Sequence, residues 1–307
     1  MHIDFAYFNY KHGGLVNGNS LGDGGPYDYR GLVRVMGEDG RWPDVAGVGE
    51  GNKYELNGGE GAWEAAAAMR EAGGRAYTPL ACSLPREWGL FAPVMFVDLQ
   101  KVVVRRFYSH RLPDFAARNR NLLVFTLPGR PDSDVFHLVA THGDPGDDEA
   151  RLADAKALRP RANPDIRCMV VGDFNATPSG WEPSDINDRT IYDLPHRYQA
   201  RGWWHPGLGE HVRFDTRSLD YLVGCLDRSQ LERSGGVGFH AVAELAGDRT
   251  STTLPVPSGR ECTTIDWLLV NKPAAQAYVP GSYRVHEPLD PEHPDSDHKR
   301  VSATLDL

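Results

Sequence analysis

Met169-Val170-Val171-Gly172-Asp173-Phe174-Asn175-Ala176-Thr177-Pro178 is the stretch on which the fold turns. An apolar run of strand character ends in glycine, then presents a carboxylate and a carboxamide two residues apart. Along an extended backbone that spacing sends both side chains to one side. Together they can hold a water molecule and contact an anionic oxygen. The same Gly-Asp-Phe-Asn also suits an Asx turn closing a strand.

Outward from it, similar short apolar runs recur at 4–8, 45–48, 94–97, 102–107, 122–127, 135–141, 265–270 and 301–305, with 168–171 the strand just quoted. Three stretches have helical character. One follows Pro26 and runs toward Gly37, since proline suits a first helical turn. The Ala-rich 62–72 is stopped by Gly73-Gly74. A third follows Asp144-Pro145-Gly146, where Asp147, Asp148 and Glu149 suit the positive end of a helix dipole. Many short strands and few helices imply two packed sheets with helices outside. No linker or internal repeat interrupts residues 1–307, which read as a single domain. The Gly-rich 47–61 and the segment 181–233 read as long surface loops, the second with some helix.

Composition narrows the function. The 307 residues carry 33 Lys+Arg against 42 Asp+Glu, a formal net charge of −9. Tight, nonspecific duplex binding by a basic surface is disfavoured, because counterion release supplies most of that affinity. Arginine outnumbers lysine 27 to 6, a bias that a GC-rich genome produces as readily as phosphate recognition does. No apolar run approaches the roughly 20 residues of a membrane span. The N-terminus lacks the basic and long apolar regions of a signal peptide, and the scattered cysteines make a reducing, cytoplasmic location the expectation. Cys82, Cys168, Cys225 and Cys262 form no CxxC pair, which argues against a zinc site or disulfide framework.

Other strand ends carry chemistry. In Thr264-Ile265-Asp266-Trp267-Leu268-Leu269-Val270 an acid lies inside an apolar strand, where it is costly unless paired. His298, in Ser296-Asp297-His298-Lys299-Arg300, is a natural partner, since an Asp–His pair fixes the tautomer and raises the imidazole pKa. An arginine is the structural alternative. In Phe136-His137-Leu138-Val139-Ala140-Thr141-His142-Gly143-Asp144 the two histidines fall on opposite strand faces, and His142 sits where strand gives way to loop. His137 is assigned to solvent or sheet packing. Asn9 and Glu50 likewise end apolar runs. Several strands each ending in an acid, amide or imidazole imply one site at a shared edge.

The ordered set Asn9, Glu50, His142, Asp173-x-Asn175, Asp266 and Ser296-Asp297-His298 resembles the endonuclease/exonuclease/phosphatase family. The resemblance implies an α+β fold, a four-layer α/β/β/α sandwich of two mainly antiparallel sheets flanked by helices. It also implies a Mg²⁺-dependent phosphoester hydrolase, with Mn²⁺ as a substitute. Glu50 corresponds to the main metal carboxylate, with Asn9 and Asp297 near the same ion. Asp173 would orient or deprotonate the attacking water, and Asn175 would position water or phosphate. His298, paired with Asp266, would serve a nonbridging oxygen or proton transfer. His142 matches the second histidine of the deoxyribonuclease-like and sphingomyelinase-like branches. Arg120 and Asn121, in Arg118-Asn119-Arg120-Asn121, resemble a polar cluster that contacts phosphate.

Departures are also present. The family's usual Gln-Glu pair reads Gly49-Glu50, and Lys11 stands where some members place an acid, which argues against a second tightly held metal. The Thr-His-Gly-Asp sequence weighs against the AP-endonuclease branch. Trp203-Trp204-His205 and His211 could form an aromatic platform or simply pack. His286 and His293 lack regular ligand spacing and read as a solvated loop. The expected substrate is DNA or RNA, with a small phosphorylated metabolite, nucleotide or phospholipid headgroup as the alternative. A binding module that has lost catalysis ranks lower because every site residue type is retained. No obligate protein partner is evident.

Overall fold

Strand formers alternating along the short apolar runs pair into two six-stranded sheets. The computed structural model describes residues 1–16, 26–82, 91–109, 121–183, 202–204, 212–229, 231–255 and 262–307. The first sheet runs β15 (Arg284–His286), β16 (Arg300–Asp306), β1 (His2–Asn9), β2 (Val45–Gly49), β4 (Val94–Asp98), β3 (Tyr77–Ala81). The second runs β13 (Phe239–Ala241), β14 (Asp266–Asn271), β8 (Arg167–Asp173), β7 (Phe136–His142), β6 (Leu122–Thr126), β5 (Val103–Tyr108). Two ribbons, β9 (Gly202–Trp204) with β10 (Val212–Phe214) and β11 (Cys225–Asp227) with β12 (Glu232–Ser234), stand apart. All nine strands expected from the sequence are present.

The two sheets share one pairing pattern. Each has a single parallel pair, β1 with β2 and β8 with β7, and is otherwise antiparallel. Parallel neighbours need a crossover. Helix α1 (Arg30–Met36) lies between β1 and β2 in the chain, and α3 (Asp148–Leu158) between β7 and β8. Asp147 caps α3, accepting from the Ala150 amide at 2.9 Å, and Asp148 and Glu149 lie in its first turn. Helix α1 begins at Arg30 rather than directly after Pro26.

Phe5 and Tyr7 from the first sheet join Phe136, Leu138, Val171 and Trp267 from the second in one buried core. Phe5 stacks on Phe136 with centroids 5.7 Å apart. The other face of the first sheet, with Phe8, Val48 and Phe96, packs on Leu32 and Met36 of α1 and Ala65 and Met69 of α2 (Glu60–Glu71). These layers form the α/β sandwich that the sequence implies. Among the described residues, no helix is long and apolar enough to cross a membrane.

One part of the Gly-rich loop 47–61 proves to be strand. Gly47 and Gly49 belong to β2, and the ring of fully buried Tyr7 lies against them. A Cβ at Gly47 would sit 2.9 Å from Tyr7 Cδ2 and 3.2 Å from Val171 Cγ2. The glycines that suggest a loop leave a trough for the ring between the sheets. Gly47→Ala is therefore expected to cost about 1–3 kcal/mol by overpacking, read as a lower urea midpoint. An unchanged midpoint would show that the trough does not constrain β2.

Candidate active site

Register gathers the polar strand ends at one edge. Asp173, the last residue of β8, lies opposite Asp266 of β14 and opposite His142 of β7. In the first sheet Asn9, ending β1, lies opposite Gly49, which ends β2, and Glu50 follows. Asn9 and Asp173 meet across the sheets: Asn9 Nδ2 donates to Asp173 Oδ2 at 3.0 Å and to Glu50 Oε1 at 3.3 Å.

Asp266 is fully buried and needs compensation. His298 Nδ1 lies 2.8 Å from Asp266 Oδ2, so the partner is the histidine and not an arginine. That contact turns Nε2 toward Asp173 Oδ2, 3.8 Å away. Burial acts to lower the His298 pKa, but the attraction and hydrogen bond of Asp266, with further help from Asp173 and Asp297, raise it to about 10. Burial in turn raises Asp266 to about 6 against the pull of His298. The contact favours an imidazolium facing a carboxylate. Breaking such a buried pair from one side costs about 3–5 kcal/mol.

The strand segment carrying His298 is fastened to β1. Ser296 Oγ donates to the Asn9 carbonyl at 2.6 Å and accepts from the His298 amide at 3.2 Å. Asp297 faces outward, 45% exposed, with Lys11 Nζ 4.0 Å from its Oδ2. Glu50 adopts φ 55° and accepts from the His12 amide at 2.8 Å.

These residues fit a hard divalent cation. Asn9 Oδ1 is buried with no hydrogen-bond partner, on a carboxamide whose Nδ2 contacts the Glu50 carboxylate. Oxygen donors of this kind suit Mg²⁺. Asp173, Asp266 and His298 also bring donor atoms within 4.8 Å of one another. In that group Asp266 and His298 are already engaged with each other, which favours the Glu50 side for the ion.

Asn175 and Asp173 do converge, though not by strand alternation. The strand ends at Asp173, whose Oδ1 accepts from the Asn175 amide at 2.7 Å in an Asx turn, and Asn175 takes φ 48°. The turn and the site, alternatives in the sequence, are one structure. Asn175 Nδ2 then donates to the Gly143 carbonyl at 3.0 Å and lies 3.4 Å from His142 Nε2.

Residues 87–298, more than two-thirds of the chain, match the Endonuclease/Exonuclease/phosphatase family. The chain belongs to that family. The match contains His142, Asp173, Asn175, Asp266, Asp297 and His298, while Asn9 and Glu50 precede it and are joined to the site by the fold. No curated protein matches the chain. Among solved structures, an AP endonuclease from Archaeoglobus fulgidus is 14% identical with a TM-score of 0.56, covering 99% of this chain and 100% of its own. The 3′ phosphatase NExo from Neisseria, bound to a product DNA hairpin, is 15% identical at TM-score 0.56 with the same coverage. The mannosyl-6-phosphatase Bt3783 of Bacteroides thetaiotaomicron VPI-5482 is 12% identical at 0.56, again covering 99% and 100%. At such identities the likeness is one of fold: the sandwich used by hydrolytic phosphoesterases.

Within this family member, two site neighbours escape sequence reasoning. Phe91 stacks on His142, centroids 5.3 Å apart and planes 10° from parallel. Its backbone is held at φ 88°, with its amide donating to Asn52 Oδ1 at 2.7 Å. Tyr7 is the other: a Cβ at Gly49 would fall 2.2 Å from its hydroxyl, so the missing side chain before Glu50 makes room for the phenol. Burial first, then the Asp173 and Asp266 charges, hold that phenol well above its ordinary pKa. Asn121 reaches the same edge but is 2% exposed, and its carbonyl accepts from the Ala140 amide. Arg120, His205 and His211 lie outside the described residues, as do the side chains of Trp203 and Trp204.

His137, His286 and His293 have partners of their own. His137 is half-buried, with Nδ1 3.0 Å from an Arg161 nitrogen. His286 is no part of a solvated loop: in β15 it contacts Glu38 and Ser302 at 2.8 Å each, and burial with Arg300 lowers its pKa to about 3. His293 is exposed beside Asp290.

Asp266→Asn removes the largest influence that raises the His298 pKa and leaves burial to lower it. In metal-free protein, the His298 NMR resonance is expected to stay in its charged position through neutral pH in the wild type. In the variant it should titrate below neutrality. Coincident titrations would contradict the pairing.

Proposed function

We propose that residues 1–307 act as one catalytic domain, a cytoplasmic, divalent-metal-dependent phosphodiesterase of the nuclease type that attacks phosphorus directly with water. The single observation that carries this reading is the Asp266–His298 pair turned toward Asp173, with Asn9 bridging Asp173 to Glu50 from the opposite sheet.

Asp173 orients the attacking water and accepts its proton, held in place by the Asx turn and the Asn9 amide. The imidazolium of His298 donates from Nε2 to a nonbridging oxygen, where negative charge grows; preorganised donors of this kind are a large part of phosphoryl-transfer catalysis. His142, steadied by Phe91, lies beside Asn175 and serves the leaving oxygen, while Asn175 positions water or phosphate. Asn121 and Arg120 are assigned to phosphate binding. Glu50, Asn9 and Asp297 would hold Mg²⁺, which when bound neutralises charge on the phosphoryl oxygens.

Nucleic acid is the first substrate class, and the DNA product bound to the Neisseria neighbour is consistent with it. A small phosphoester is the second reading, favoured by the net charge of −9. A cation held by Glu50 and Asn9 would reverse part of that field at the phosphate, so acidity alone does not remove the first.

Asp173→Asn and His298→Ala are each expected to lower kcat by about 10²–10⁴, the range of a general acid or base, with unchanged circular dichroism. Full activity in either would sink the assignment. EDTA should abolish turnover and Mg²⁺ restore it; turnover insensitive to chelation would rule out the metal. Bis-p-nitrophenyl phosphate and p-nitrophenyl phosphate separate the two substrate readings. Turnover of the diester alone supports nuclease chemistry, the monoester supports a phosphatase, and neither supports a noncatalytic binding module.

A further inference from the structure

The turn after Asn9 carries a histidine that the proposed mechanism leaves unused. His12 lies in the 3₁₀ turn Lys11–Gly14 at φ 54°, followed by Gly13 at φ 63°. Non-glycine residues seldom adopt this backbone, and such residues persist where surrounding structure over-determines them, often at functional sites. Here the surroundings do so. Tyr54 Oη donates to the Gly13 carbonyl at 2.7 Å, the Gly13 amide donates to the Tyr10 carbonyl at 2.6 Å, and a Cβ on Gly13 would meet the Glu50 carbonyl at 2.9 Å. Glu50, facing this turn, is itself at φ 55°. Two residues in costly conformations are thus held against each other.

What they present is a carboxylate and an imidazole nitrogen. His12 Nδ1 is buried with no hydrogen-bond partner. It lies 3.6 Å from Glu50 Oε2, the oxygen that accepts the His12 amide. At that separation Nδ1 makes no hydrogen bond to the carboxylate, and packing alone does not explain a buried, unsatisfied ring nitrogen beside it. Two ligands of one octahedral ion with bonds of about 2.1 Å lie roughly 3.0 Å apart when adjacent and 4.2 Å when opposite. The observed 3.6 Å is about 0.6 Å wider than the adjacent separation, a gap that a small rotation of the imidazole toward the carboxylate closes. Asn9 Oδ1, also unpartnered, is on the carboxamide whose Nδ2 contacts Glu50 Oε1 at 3.3 Å.

We propose that His12 Nδ1 is a ligand of the cation held by Glu50 and Asn9, and that it shifts the site's preference from Mg²⁺ toward first-row transition ions. The inference rests on the metal-dependent reading above. Mg²⁺ favours oxygen donors, whereas imidazole favours ions later in the transition series. Lys11, 4.0 Å from Asp297, adds a positive charge at the outer side of the site. A neutral nitrogen donor completes the coordination there without adding another carboxylate.

The test is pulsed electron paramagnetic resonance of the full chain loaded with one equivalent of Mn²⁺, read for nitrogen modulation. The variants are His12→Asn and His12→Gly, which tolerate positive φ, together with His298→Gln and Glu50→Gln. Nitrogen modulation is expected in the wild type and in His298→Gln and is expected to vanish in both His12 variants. Mn²⁺ affinity should fall about 10–100-fold in those variants, with Mg²⁺ affinity changing far less. Bound Mn²⁺ that gives no nitrogen modulation, or modulation lost only in His298→Gln, would overturn the role of His12 and leave the metal reading intact. A wild type that binds no Mn²⁺, or binds it equally well after Glu50→Gln, would instead overturn the metal reading itself.

Discussion

Asp266 is a carboxylate with no exposure to solvent, and much of the site follows from how its charge is met. Opposite it in the sheet is Asp173, another acid, so the neighbouring strand supplies like charge rather than relief. Relief comes from His298, on the segment that leads into β16 of the other sheet. The buried ion pair therefore ties the two sheets together at the edge where the reactive groups meet. A hydrogen bond to a charged partner contributes about 1.5–3 kcal/mol, and here the same bond turns Nε2 toward Asp173. Ser296 fastens the His298 segment to Asn9, and Asn9 reaches back to Asp173, which closes the ring of contacts.

Topology makes this closure possible. Each sheet places one parallel pair beside the strand that returns antiparallel to it. The carboxyl ends of β1 and β2 thus meet the start of β16, and those of β7 and β8 meet the start of β14. The pattern repeats without detectable sequence similarity between the halves. Each sheet contributes a different part: the first supplies Asn9 and Glu50, and the second supplies His142, Asp173, Asn175 and Asp266. Backbone strain concentrates at the same edge, with His12, Glu50, Phe91 and Asn175 all at positive φ.

Much of this was legible in the sequence because strand ends are marked by polar residues after apolar runs. The pairing of Asp266 with His298 was readable from a single buried acid. Other features were hidden for physical reasons. Pro79 obscures β3, where it is tolerated because the strand lies at the sheet edge. β13 and β15 are three residues long, too short for a periodic signal. Gly47 and Gly49 look like loop residues until the ring of Tyr7 occupies their space. Asn175 joins Asp173 through a turn, which two-residue alternation cannot foresee. Phe91 and His12 gave no signal, since stacking and an unsatisfied nitrogen exist only in three dimensions.

In the proposed reaction, water held at Asp173 attacks phosphorus directly, with no residue of this edge becoming covalently attached. The stereochemical course tests it most directly: a phosphorothioate diester made chiral at phosphorus, hydrolysed in isotopically labelled water and analysed by ³¹P NMR. One direct displacement predicts inversion at phosphorus. Retention, which requires two successive displacements through a covalent enzyme intermediate, would contradict the account.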